Sequence, residues 1–452
     1  MTDCNAEQSY PLNDAQRQRL SLEALLGEPS PSWLIIGAVI HGVTDLARFH
    51  DTLLELPRIY PVLRTALVTA GPTESWYQYI RSCHEIWRGR PPVVQLSRVN
   101  SWAEMIEALQ EDLQSRNPDY RYAAAYGVDQ TGRLRVTFAF DHMVFDIMSI
   151  DILLARLAGS AGGDDVYDYA HSCRCGGNEF ANYVKRTAVI ADRVRLPERY
   201  EWALELMLAA RSPHAYVSLP VATPLSVMKA GGARRLRSRF VTDTHRKHSY
   251  TPFTAFASAL TLSLEANFES PAMFYTPTLN REPAEMQSVG WFAGTPIMPV
   301  PSRQIMSAVT AERIVDEMHA TSEVRAATTE TMRDGQLLTT LIHRKLSSAL
   351  GGRLPFMDCL PDSLPYIVLG YADRVRERVE WKTKDVVVRK VRMPRTAFAP
   401  ALVPPGYIFI RLLREKKAEW SVEVDYETGR YESGAIETLM SSTERYLRQL
   451  LG

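Results

Sequence analysis

Residues 133–146 constrain the fold more than any other stretch of the chain. Leu134, Val136, Phe138 and Phe140 alternate with Arg133, Arg135, Thr137 and Ala139. That two-residue period is a β-strand with one apolar face. The preceding Ala123–Val128 run, followed by Asp129, Gln130, Thr131 and Gly132, predicts the other arm of a hairpin and its turn. An apolar sheet face has to be covered, and the flanking segments carry helix signals, so the expected class is α/β. Asp141 and His142 follow the strand directly.

Strand and helix signals alternate elsewhere too. Trp33 to His41 is an apolar, isoleucine-rich run that reads as a buried strand. Thr44 is placed to cap a helix from Asp45 to about Leu56, with Leu46, Phe49, Leu53 and Leu56 on one face. Val62 to Val68 predicts a strand, Met148 to Leu157 a short helix, and Asn178 to about Ala210 a helical connection. The small, polar stretch 158–165 marks a loop. In the second half, strands are predicted at Arg235–Val241, Ala272–Leu279, Tyr366–Tyr371, Val386–Val391, Tyr407–Leu413 and Trp420–Tyr426. Helices are predicted over 251–268, 310–327 and 336–350. Ser433 starts a last amphipathic helix with Ile436, Leu439, Met440, Leu447 and Leu450 on its apolar side. A chain of 452 residues exceeds one ordinary core, so two α/β lobes are expected, divided as 1–177 and 178–452.

Lysine plus arginine equals aspartate plus glutamate at 52 each, which removes any global attraction to nucleic acid or an anionic membrane. The N-terminus lacks a basic start and apolar run, and no segment is long and apolar enough to span a bilayer. A cytoplasmic protein is expected. Its five cysteines are scattered and imply no disulfide framework. His171, Cys173 and Cys175 cluster, but lack a fourth ligand and the usual cysteine spacing, so no metal site is expected.

Asp141-His142-Met143-Val144-Phe145-Asp146 is the constellation with chemistry in it. An imidazole at the end of a strand can take a proton from a hydroxyl or amine and return it to a leaving group. The segment resembles the HHxxxDG signature of the condensation-domain superfamily, which includes nonribosomal peptide condensation domains, polyketide-associated acyltransferases and chloramphenicol acetyltransferase-like enzymes. Three further segments agree in order. YPLNDAQRQRL, from Tyr10 to Leu20, is similar to the opening PLSxAQxRL motif. YPVLRT, from Tyr60 to Thr65, is similar to RHxxLRTxF. Asn280-Arg281 and VGWFAGTP, from Val289 to Pro296, are similar to the later GR and xGxFxNTxPxR segments.

The resemblance implies two chloramphenicol acetyltransferase-like lobes in a V with a central tunnel. It implies an acyl thioester donor on phosphopantetheine, carried by an acyl or peptidyl carrier protein or by coenzyme A, and a small amine or alcohol acceptor. It places His142 at the tunnel centre as the catalytic residue. Asp146, paired with Arg64, would be structural, as would Asp141. No bound cofactor and no metal are implied. Because the motifs span nearly the whole chain, a free-standing acyltransferase of specialised metabolism is expected, meeting its donor in trans. The alternatives are a degenerate module that recruits a carrier protein or tailoring enzyme, and a coenzyme A-dependent O-acyltransferase acting on a lipid or glycolipid.

The departures from the pattern fall close to the histidine. Asp141 replaces the first histidine, Ile147 the motif glycine, and Gly294 the usual asparagine. Ile147, Trp291, Phe292, Gly294 and Thr295 are candidates to line the tunnel, with a core role the alternative for the two aromatics. Arg234, Arg235, Arg237 and Arg239, followed by His245, Arg246, Lys247 and His248, read either as an anion contact or as a solvated strand face.

Overall fold

The structure, a computed structural model, describes residues 9–13, 15–17, 19–20, 33–43, 45–68, 76–82, 93–114, 121–161, 179–193, 201–209, 233–242, 251–268, 274–275, 278–279, 285–286, 288–290, 292–294, 297–298, 335–351, 366–373, 379–383, 385–391, 393, 407–416 and 418–451. In chain order these form β1 (Ser9–Pro11), β2 (Trp33–His41), α1 (Leu46–Ile59), β3 (Thr65–Val68), β4 (Tyr77–Ile80), β5 (Val93–Gln95), α2 (Trp102–Gln114), β6 (Tyr122–Val128), β7 (Leu134–Asp141) and α3 (Ile147–Ala161). Next come α4 (Glu179–Arg193), α5 (Glu201–Ala209), β8 (Ala233–Val241), α6 (Pro252–Phe268), β9 (Phe274–Tyr275), β10 (Thr278–Leu279), β11 (Ala293–Gly294), β12 (Ile297–Met298) and α7 (Gly335–Ala349). The last elements are β13 (Tyr366–Asp373), β14 (Glu380–Lys382), β15 (Val387–Val391), β16 (Tyr407–Arg414), β17 (Glu419–Glu427) and α8 (Ser433–Leu451).

Two six-stranded sheets organise these elements. The first has the order β14-β15-β2-β7-β6-β5 and the second β12-β9-β13-β16-β17-β8. The hairpin read from the sequence is present: β6 and β7 pair antiparallel from Tyr122↔Phe140 to Val128↔Leu134. Its turn is closed by Asp129, whose Oδ1 accepts from the backbone N–H groups of Thr131 and Arg133.

Leu34, Ile36, Ile40, Val136, Phe138 and Phe140 form one face of the first sheet and pack in a single core with Phe49, Leu53 and Leu56 of α1 and Leu153, Leu154 and Leu157 of α3. Leu53, Leu56, Leu153, Leu154 and Leu157 are all fully buried. Each such leucine contributes roughly 2 kcal/mol through removal of its side chain from water. The opposite face is not solvated, contrary to what the alternation in residues 133–140 suggests. Ala123, Ala125 and Ala139 give it a shallow surface, on which Leu109 of α2 packs beside Trp33. Thr137 also lies under α2, donating to the Met105 sulfur at 3.5 Å.

Asp45, not Thr44, caps α1, through a bond from the Arg48 N–H to its carboxylate at 2.9 Å. Thr44 lies outside the described residues. Leu46, expected on the buried face of α1, is 36% exposed. The segment predicted as a strand from Val62 opens as a 3-10 turn over Pro61–Arg64 before β3 begins. The helix expected over 310–327 and the His171, Cys173, Cys175 cluster also lie outside the described residues.

One pairing joins distant parts of the chain. β15 pairs antiparallel with β2, from Val387↔His41 to Val391↔Gly37, so a strand from late in the chain extends the first sheet. Phe180, Ala181, Tyr183 and Val184 of α4 pack into the first core as well. The approach of this late segment is close enough to require glycine. Gly42 has φ +86°, and a Cβ there would lie 1.9 Å from the Asp385 carbonyl oxygen.

In the second sheet, Trp420, Val422, Val424 and Tyr426 of β17 point into a core with α6 and α8. The apolar residues expected on the last helix, Ile436, Leu439, Met440, Leu447 and Leu450, are all buried there. The other face of β17 carries Ser421, Glu423 and Asp425, also buried. Arg235 of β8 grips Asp425 with two bonds, at 2.6 and 2.7 Å. Arg411 of β16 forms an ion pair with Glu423 at 3.0 Å and donates to Asp425 Oδ2 at 2.7 Å. Arg237 pairs with Glu415 and, at 3.4 Å, with Glu423. Arg234 reaches Glu437 at 3.4 Å. Arg234, Arg237 and Arg239 remain exposed, as the solvated-face reading expects, while Arg234, Arg235 and Arg237 also engage the protein's own carboxylates; His245, Arg246, Lys247 and His248 lie outside the described residues.

Candidate active site

The end of β7 and the start of α3 hold residues 141–146 in a tight turn. The Val144 N–H donates to the Asp141 carbonyl at 3.0 Å. Asp146 then caps α3: its Oδ1 accepts from the Ser149 N–H at 2.9 Å and from the Ser149 hydroxyl at 2.8 Å. Within this turn Asp141, Met143, Val144, Phe145 and Asp146 are all buried. His142 alone among these six is only half-buried as a residue. Ile147, the next residue along, is 61% exposed.

The tautomer of His142 follows from its bond to Phe145. Nδ1 lies 2.8 Å from the Phe145 carbonyl oxygen. A carbonyl only accepts, so Nδ1 carries the proton and Nε2 the lone pair. Burial lowers the imidazole's pKa below its ordinary value of 6.5, and the positive charge of Arg19 adds to this. The Phe145 carbonyl and the charge of Asp146 act in the other direction. The net result is a neutral ring at physiological pH, able to accept a proton at Nε2.

Three sets of contacts hold the turn. The first comes from the N-terminal motif. Asn13 and Gln16 cap each other reciprocally, Asn13 N–H to Gln16 Oε1 at 2.9 Å and Gln16 N–H to Asn13 Oδ1 at 2.8 Å. Gln16 Nε2 donates to the Met143 carbonyl at 2.7 Å and to Gln78 Oε1 at 3.0 Å, while Gln78 Nε2 returns a bond to Gln16 Oε1 at 2.8 Å. The second set joins Asp141 to Arg121, whose Nη1 donates to Oδ2 while its Nε donates to the Thr65 carbonyl at 3.2 Å. The third set reaches the segment after Gly290. The Phe292 N–H donates to Asp146 Oδ2 at 3.1 Å, and the Gly290 N–H to the Ser149 hydroxyl at 3.1 Å.

The structure thus brings His142, Asp141 and Asp146 together with the YPLNDAQRQRL and Gly290 segments. It corrects one pairing. Arg64 is not bonded to Asp146; its Nε donates to the Pro57 carbonyl at 3.0 Å and its Nη1 to the Arg81 carbonyl. A buried arginine between two carbonyls fastens the end of α1 to the end of β4. Phe292 takes the core role, the alternative that the sequence left open for it. It is fully buried against Phe180 and Tyr183, with ring centroids 5.4 and 5.1 Å apart, and is a core aromatic. Gly294 lies in β11, opposite Thr278. Trp291 and Thr295, as well as Asn280 and Arg281, lie outside the described residues.

Gln78, Arg121 and Ser149 were not singled out from the sequence. Ser149 carries a signal in hindsight, standing three residues after a helix-capping aspartate. Gln16 sits at the third helical position after Asn13, which is a capping-box spacing. Arg121 and Gln78 have no local signature. Among the described residues no three His, Cys, Asp or Glu side chains are grouped to hold a metal. No described helix is long and apolar enough to cross a membrane.

No family model and no curated protein sequence matches the chain. Solved structures do. The X-domain from teicoplanin biosynthesis superposes with a TM-score of 0.68 at 14% identity, covering 99% of this chain and 96% of that one. The condensation domain of the monacolin K polyketide synthase MokA gives 0.66 at 15% identity, covering 99% and 98%. The epimerization domain from the third module of tyrocidine synthetase B gives 0.63 at 12% identity, covering 100% and 99%. The chain therefore shares the fold of these epimerization, condensation and X-domains.

Proposed function

We propose that this condensation-fold chain is an acyltransferase, joining an acyl group from a phosphopantetheine thioester to an amine or hydroxyl acceptor. The observation that carries this reading is the state of His142: half-buried in an otherwise sealed turn, with Nδ1 protonated and Nε2 able to accept. In the proposed step the acceptor's N–H or O–H proton passes to His142 Nε2 as its lone pair attacks the thioester carbonyl carbon. The tetrahedral intermediate collapses, the C–S bond breaks, and the imidazolium returns the proton to the departing thiolate. Asp141, Asp146 and Gln16 keep the ring in place and touch neither substrate. Holding donor and acceptor together, in the inter-lobe tunnel that the fold family implies, supplies much of the acceleration. A carrier protein is the proposed donor in a specialised-metabolite pathway, and the proposed location is the cytoplasm.

A second reading is a recruiting module without catalysis. It is favoured by Ile147, an exposed isoleucine beside His142 where the resembling motif has glycine. Incubating the protein with acylated carrier protein or acyl-coenzyme A and a panel of amines and alcohols, with mass spectrometry of the products, separates the readings. The acyltransferase reading expects a new amide or ester, lost in His142→Ala. Product formed equally well by His142→Ala overturns it. Turnover with free acyl-coenzyme A and a lipid alcohol would assign the coenzyme A-dependent O-acyltransferase.

A further inference from the structure

We propose that Arg121 is a positioning residue for His142, acting through Asp141. The inference rests on the reading of His142 as the base and names what holds that base. Asp141 immediately precedes the histidine, and four contacts fix it. Its carboxylate Oδ2 accepts from Arg121 Nη1, and its Oδ1 accepts from the Met143 N–H at 2.9 Å. Its own N–H donates to the Arg121 carbonyl at 3.0 Å, and its carbonyl accepts from Val144. One aspartate thus ties down the backbone on both sides of His142. Arg121 in turn is anchored by the bond from its Nε to the Thr65 carbonyl, so β3, the start of β6 and the end of β7 meet at one guanidinium. The Arg121 and Asp141 side chains are 14% and 5% exposed, which shields the pair from water.

The residue type at 141 fits this role. Two donors converge there, the Arg121 guanidinium and the Met143 N–H, and a carboxylate offers each its own oxygen. A neutral imidazole has a single acceptor nitrogen and can satisfy only one of them. Restoring the family's histidine with Asp141→His therefore weakens this site instead of improving it.

The test measures kcat and KM for the acyl transfer alongside the imidazole 15N spectrum of the full chain, in which the His142 signals are assigned by their loss in His142→Ala. Arg121→Ala is expected to lower kcat on the order of a hundredfold, as a displaced catalytic group does. KM stays within about twofold, because the pair touches no substrate. In the same variant the His142 nitrogens shift away from the single Nδ1-protonated form. Arg121→Lys recovers part of both signals, since it keeps the charge but offers no fork. If Arg121→Ala does not fold, Arg121→Lys and the paired Arg121→Gln/Asp141→Asn variant decide the question. An unchanged tautomer and kcat in a folded Arg121 variant overturn the inference. Should the parent protein show no transfer with any donor, the acyltransferase reading fails while the nitrogen spectra still report whether Arg121 orders the ring.

Discussion

Replacing Gln16 by leucine removes a side chain of similar volume and, with it, four hydrogen bonds in a dry site. Gln16 and Gln78 are both 0% exposed. The bonds are those from Nε2 to the Met143 carbonyl and Gln78 Oε1, and those to Oε1 from the Asn13 N–H and Gln78 Nε2. Gln78 Nε2 keeps a second acceptor, the Pro11 carbonyl at 3.0 Å. Gln78 Oε1, the Asn13 N–H and the Met143 carbonyl each lose the bond they make to Gln16. A buried polar group left without its bond costs about 1–3 kcal/mol. Burial of the leucine returns about 1–2 kcal/mol. With three such groups the expected net loss is about 4–5 kcal/mol at mid-range, and about 1 kcal/mol at the least, read in urea as a lower midpoint at unchanged slope. Gln78→Leu added to Gln16→Leu removes one stranded group, so the double variant should lose about 1–2 kcal/mol less than the sum of the singles. A loss below about 1 kcal/mol in Gln16→Leu, or strict additivity in the pair, would refute the claim that the N-terminal motif holds the histidine turn.

Phe292→Ala should cost about 3–5 kcal/mol in denaturation experiments and leave acceptor preference unchanged, as expected of a ring inside the core. Gly42→Ala should cost about 2–3 kcal/mol, combining left-handed backbone strain with a clash against the Asp385 carbonyl; a neutral effect in thermal melts would contradict the observed docking of β15 on β2. For pH, the lowered pKa of His142 sets the sign. The acid limb of kcat/KM should therefore be centred below the imidazole's ordinary value of 6.5. Stability should fall as pH drops from the ordinary value of 6.5 toward the lowered pKa of the folded ring, and level off below it, because over that span the unfolded chain takes up a proton that the folded ring refuses. An acid limb centred at or above 6.5 would count against burial of the base.

Much of the site was legible in the sequence because it is local. The alternation in β7 announces a strand, Asp141 and His142 end it, and Asp146 stands where a helix needs a cap. What escaped is contact between distant segments. Arg64 was read as the partner of Asp146, yet it bonds two backbone carbonyls, and carbonyls are present at every residue and leave no pattern. Arg121 lies 20 residues before Asp141, and Gln78 lies 62 residues after Gln16. The second face of the first sheet reads as half-polar because Thr137 and Arg135 sit on it, but alanines on that face let α2 approach and cover them. That β15 belongs to the first sheet depends on a pairing across more than 340 residues, fixed by shape at Gly42 and Asp385.

The arginine-rich strand shows how charge in a sequence can be cancelled by the fold. Arg235, Arg237 and Arg411 are matched by Glu423 and Asp425 of β17 and by Glu415, just past the end of β16. Asp425 and Glu423 are nearly inaccessible, with side chains 3% and 2% exposed, so the arginines are what make the burial of these carboxyl groups tolerable. Asp425 lies 190 residues from Arg235 in the chain, which is why the strand alone looks like an anion site. Arg235→Ala takes two bonds from Asp425 but leaves it Arg411, so the expected loss is about 1–3 kcal/mol of stability, below the full cost of an orphaned buried charge. The same variant should leave KM for an acylated carrier protein unchanged, because the guanidinium is already committed within the sheet. If instead KM rises and weakens with salt while the melting temperature stays constant, this strand recognises the carrier after all, and the internal ladder is not what its arginines are for.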